Sequence, residues 1–61
     1  MNKDAELAIN NAYECCKFFP DVYEKRAHVM GCLSALFITK QIDYDDYNAL
    51  CDNVFIDFPL H

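Results

Sequence analysis

One glycine, two prolines and no tryptophan stand among these 61 residues, with only five lysines and arginines against ten aspartates and glutamates. The scarcity of glycine and proline argues against a scaffold built from turns, and with it against a disulfide framework, although four cysteines are present. Cys15 and Cys16 are adjacent, and Cys32 and Cys51 fall within helix-like segments, so the thiols are expected to be free and to pack as small apolar groups. A formal charge of −5 without a cluster of Lys and Arg argues against direct binding of nucleic acid or of an anionic membrane surface. A protein is the more natural ligand. No basic stretch precedes an apolar run with a small-residue cleavage site, which makes the cytoplasm the expected location. No repeat, low-complexity tract or linker divides the chain, so residues 1–61 read as a single helical domain.

What is abundant is apolar character, 54% of the chain. It concentrates in Ala27 to Ile38, AHVMGCLSALFI, where ten of twelve residues are apolar or glycine and no acidic residue, Lys or Arg interrupts. A helix through this run is apolar on nearly every side, and a chain this short buries only about 60% of the surface its unfolded form exposes. The run is too short to cross a bilayer, which takes about 20 apolar residues, and Glu24, Lys25, Arg26 and Lys40 flank it. Self-association into a dimer or larger homo-oligomer is the simplest way to cover it.

Pro20 and Pro59 punctuate the chain. A first helix is expected over about 3–18, with Asn2 as N-cap, Asp4 and Glu6 near the positive end of the helix dipole, and an apolar face through Ala5, Ala8 or Ile9, Ala12, Cys16 and Phe19. Leu7 and Phe18 fall off that stripe and mark a weaker second surface. Pro20 suits the first turn of a second helix over about 21–40; the alternative is one long rod kinked at Pro20. Within it Ala27, Gly31 and Ala35 recur every four residues, a flat strip for the close approach of another helix, flanked by Met30 and Phe37. Asp43 is placed to cap the amide of Asp46, with Asp46 reaching back and Ile42 and Tyr47 as a hydrophobic staple, so a third helix spans about 44–55. The short link from Lys40 to Asp43 makes helices two and three an antiparallel hairpin. Residues 56–61 form an apolar tail that folds back over the hairpin or onto a neighbouring subunit. The expected core is Ala12, Cys16, Val29, Met30, Leu33, Phe37, Tyr47, Leu50 and Val54, in an all-α fold: a short bundle built on the hairpin and completed by oligomerisation.

Candidate chemistry is sparse. His28 and Cys32 lie four apart on one helical face, a spacing at which two side chains share a zinc ion, and Cys15 or Cys16 with Cys51 would complete four ligands. The usual short cysteine pairs are absent, so packed thiols and a partly exposed histidine are the preferred reading, and no metal or other cofactor is expected. Thiol catalysis with His28 as base lacks an orienting group and an oxyanion donor. Asp43, Asp45, Asp46, Asp52 and Asp57 gather negative charge in the last third of the chain. Asp43, Asp45 and Asp46 cap a helix and the rest keep a sticky protein soluble; the sharper alternative is that they dock on a basic protein surface. Tyrosines at 13, 23, 44 and 47 suit an interface.

A short chain, a helical core and the segment GCLSALFITKQIDYDDYNAL together resemble the small early-region open-reading-frame proteins of lambda-like temperate phages, encoded between the recombination and excision genes. The resemblance covers residues 31–50 and rests on overall character, not on a catalytic motif. It implies a non-enzymatic accessory that alters host physiology or phage development by binding a host or phage protein. The expected partner surface is Tyr44, Asp45, Asp52, Phe58 and Leu60, and the expected oligomer interface Ala27, Gly31, Ala35, Met30 and Phe37. The alternative is a small zinc-binding regulatory module using His28 and Cys32.

Overall fold

Three helices, α1 (Lys3–Cys16), α2 (Val22–Ile38) and α3 (Tyr44–Asp57), account for the structure of residues 1–59, the part that the computed structural model describes. Each begins on a side-chain oxygen. Asn2 accepts from the Ala5 amide at 2.7 Å, Asp21 from the Tyr23 amide at 2.8 Å and Asp43 from the Asp46 amide at 2.8 Å, so each cap satisfies one of the four amides that a helix start leaves free. The reciprocal half of the box expected at Asp46 does not form, because its shorter side chain makes no hydrogen bond back to the Asp43 amide. Ile42 and Tyr47, the two halves of the staple, both pack into the core.

Helices one and two are separate rather than one rod bent at Pro20. α1 stops at Cys16, the chain turns through residues 17–21, and α2 folds back along α1. Pro20 therefore precedes the N-cap Asp21 instead of occupying the first helical turn. The direction is fixed at both ends of the pair. The Cys32 thiol approaches the Ala8 carbonyl at 3.6 Å, and near the turn the Lys25 ammonium donates to the Phe19 carbonyl at 2.6 Å. α3 then runs back along α2, with Tyr47 stacked on Phe37 at 4.8 Å at one end and Arg26 lying 4.0 Å from the centre of the Phe55 ring at the other. α2 is thus the central element of two consecutive antiparallel hairpins, and α1 and α3 both rest on it.

The core consists of Ala5, Ile9, Ala12 and Cys16 from α1, Val29, Leu33 and Leu36 from α2, Ile42, and Cys51 and Val54 from α3. Met30, Tyr47 and Leu50 pack against it from half-buried positions. Phe37, expected inside, is 36% exposed and rests on Tyr47, and Leu36 takes the interior position. The reason lies in the helix itself: a uniformly apolar α2 carries no periodic signal that would tell the two apart.

α2 ends in a Schellman arrangement, with the Lys40 amide bonded to the Phe37 carbonyl at 3.0 Å and the Gln41 amide to the Leu36 carbonyl at 2.9 Å. Lys40 takes the left-handed position at φ 65°, where glycine is the usual occupant. Replacing Lys40 by Gly should stabilise the chain by about 1 kcal/mol, read as a rise of roughly 4–8 °C in melting temperature. At a dilution where single chains prevail, an unchanged or lower melting temperature would show that the turn is not held in this conformation.

Candidate functional site

The geometry of α2 divides the central helix into a buried and an open side. Val29, Leu33 and Leu36 meet the neighbouring helices; Tyr23, Ala27, Gly31, Ala35 and Ile38 lie on the opposite side, exposed to solvent. Tyr23 is 62% and Ile38 76% exposed, and the residues between them are small. The strip is about 22 Å long. A methyl group placed on Gly31 would meet nothing within 4 Å, so no packing inside the chain requires glycine there. It nevertheless costs helix α2 about 1 kcal/mol relative to alanine. Glu24 stands at one end of this strip and Lys40 just beyond the other. Among the described residues neither makes an ion pair, the one ion pair there being Lys17 with Glu14.

A second surface follows the seam between α2 and α3. Phe37, Tyr44 and Phe55 are exposed along it, with the Phe37 ring 6.2 Å from Tyr44 and the Arg26 guanidinium over Phe55. The expected partner residues separate on this framework. Tyr44, Asp45 and Asp52 are all exposed on α3, Asp45 and Asp52 two turns apart on one side of it. Phe58 is not with them: it is half-buried, and its ring stacks on Tyr13 of α1 at 5.8 Å. Leu60 lies outside the described residues. Of the expected oligomer residues, Ala27, Gly31 and Ala35 share the open strip, whereas Met30 packs against the core and Phe37 rests on Tyr47 of α3.

Tyr13 ties α1 to the end of α3. Its hydroxyl donates to the Asp57 carboxylate at 3.0 Å. Burial above all, then the bond to Asp57 and that carboxylate's charge, push the phenol up to about 12, so it keeps its proton through the neutral range. The latch is one of position and not of catalysis.

The histidine and cysteine pair is otherwise occupied. The exposed His28 packs its ring 5.2 Å from Phe19, and burial raises the Cys32 thiol, which faces the Ala8 carbonyl. Among the described residues no group of three or more His, Cys, Asp or Glu side chains stands close enough to hold a metal ion. All four thiols are free, with Cys16 and Cys51 buried, Cys32 half-buried and Cys15 exposed. An open groove of about 660 Å³ lies at the α2–α3 turn, lined in part by Phe37, Ile38, Lys40, Gln41, Ile42 and Asp43. No helix among the described residues is long and apolar enough to cross a membrane.

Tyr23, one of the tyrosines suited to an interface, is exposed as that reading requires, whereas sequence reasoning missed Ile38, Phe55 and Ile56 as surface residues. Tyr23 and Ile38 extend the spacing of Ala27, Gly31 and Ala35 by one step in each direction, a signal that was present. Phe55 and Ile56 were assigned to a helix end and an apolar tail, and the continuation of α3 to Asp57 presents both to solvent instead. No protein-family model, curated protein or solved structure matches the chain.

Proposed function

We propose that this chain is a small acidic accessory protein that has no catalytic chemistry and acts by binding proteins: a second copy of itself and a host or phage protein whose surface is basic. The phage assignment rests on the resemblance of residues 31–50, and the cytoplasmic setting on the lack of a basic stretch followed by an apolar run with a cleavage site. The observation that carries the binding reading is the concentration of large exposed apolar side chains on the outward sides of α2 and α3, where Tyr23, Ile38, Tyr44, Phe55 and Ile56 are all at least 45% exposed. Such a surface is costly to leave in water, and aromatic rings beside carboxylates suit a partner that presents arginine. Asp45 and Asp52 flank the aromatic seam and steer such a partner toward it.

The test is capture from bacterial extract with the tagged chain as bait. Asp45→Lys combined with Asp52→Lys should remove the specifically retained protein while leaving the helical circular dichroism unchanged, because both side chains are exposed and the capping hydrogen bond of α3 comes from Asp43. Equal retention by the charge-reversed chain overturns the choice of surface.

A further inference from the structure

We propose that the open face of α2 is a two-fold interface in which α2 packs antiparallel on α2 of a second copy, with Gly31 at the axis. This rests on the reading of the chain as a binding protein and names one of its partners. Two observations choose a second copy as the occupant. First, the strip is self-complementary when reversed. Pairing positions whose numbers sum to 62 places Gly31 on Gly31 and Ala27 on Ala35, so the two backbones approach closely where the side chains are smallest. It also places Tyr23, exposed at one end of the strip, over Thr39 of the second copy.

Second, charge selects the direction. Glu24 and Lys40, neither of them ion-paired within the chain, come to the same end of the antiparallel pair, whereas a parallel pair sets Glu24 against Glu24 and Lys40 against Lys40. Two antiparallel helices also oppose their dipoles favourably. The glycine that costs the isolated helix stability without any packing reason inside the chain acquires one at the axis.

Single cysteines introduced at the strip test the register, in a Cys15→Ser background that removes the exposed native thiol. A mixture of Ala27→Cys chains and Ala35→Cys chains should yield a disulfide-linked heterodimer on mild oxidation, and neither variant alone should yield a homodimer. Homodimers from either single variant would mean parallel packing and overturn the register. No cross-link in a folded protein would overturn the interface. Independently, Glu24→Lys should weaken self-association on the order of ten-fold, and adding Lys40→Glu should restore it. Failure of rescue contradicts the charge pairing. If the interface fails while Asp45 and Asp52 still govern capture from extract, the binding reading stands without it; loss of capture alone leaves the dimer in place.

Discussion

Truncating Leu33 to alanine should destabilise the chain by about 3 kcal/mol. Leu33 is 1% exposed and sits in the middle of α2, where α1 and α3 both rest on that helix. Its loss removes contacts to two neighbours at once, and the cavity left behind is bounded by helices whose positions two hairpins fix, so it closes poorly. A chain of this length has roughly 3–9 kcal/mol of stability in all. Urea unfolding followed by circular dichroism should therefore place the midpoint of Leu33→Ala far below that of the wild type at equal protein concentration, and Leu33→Met, which conserves volume, close to it. Equal midpoints for the alanine and methionine variants would remove Leu33 from the centre of the core. Concentration must be held fixed, since a dimer that dissociates on unfolding gains stability by mass action.

Ile42 carries the second large effect. It belongs to no helix, yet it is 4% exposed and belongs to the buried core cluster, in the turn just before α3. Ile42→Ala should also cost about 3 kcal/mol, whereas Gln41→Ala, one residue earlier and exposed, should stay within about 0.5 kcal/mol of the wild type. The contrast isolates the side chain, because both residues use their amides in the same way, bonding to the Leu36 carbonyl at 2.9 and 3.4 Å. A loss for Ile42→Ala no larger than that for Gln41→Ala would show that the turn is held by backbone bonds and the Asp43 cap alone.

What the sequence made legible was the local chemistry. Asn2 and Asp43 announce their helices because a cap is decided by four consecutive residues, and the alternation of Ile42, Asp43 and Tyr47 marks the third helix for the same reason. The first helix was readable from its face, since Ala5, Ile9, Ala12 and Cys16 stand out against polar neighbours and are all buried. α2 was readable as a helix but not as an orientation. With apolar residues on every side, nothing local told Leu36 from Phe37, and contact with two other helices made the choice. The left-handed Lys40 was hidden because the position holds no glycine. The latch between Tyr13 and Asp57 joins residues 44 positions apart, a pairing that only the fold brings together.

The candidate surface was half legible on the same grounds. Ala27, Gly31 and Ala35 repeat at helical spacing, and the structure leaves all three facing solvent. Phe58 was read as part of an apolar tail that folds back over the hairpin or onto a neighbouring subunit, and its place against Tyr13 of α1 depends on α1 and α3 both resting on α2. Aspartates along α3 are exposed whichever partner they meet, so the spacing of Asp45 and Asp52 was visible without any knowledge of the bundle.

The measurement that bears most directly on the open face of α2 is the solution mass by light scattering across a dilution series, taken for the wild type and for Gly31→Leu. The wild type should approach twice the 7.1 kDa chain mass at high concentration and fall toward the single-chain value on dilution, while Gly31→Leu, whose side chain projects into open space and leaves the fold intact, should remain at 7.1 kDa throughout. A wild type that stays at the single-chain mass at every concentration, or a Gly31→Leu chain that assembles as the wild type does, would contradict it.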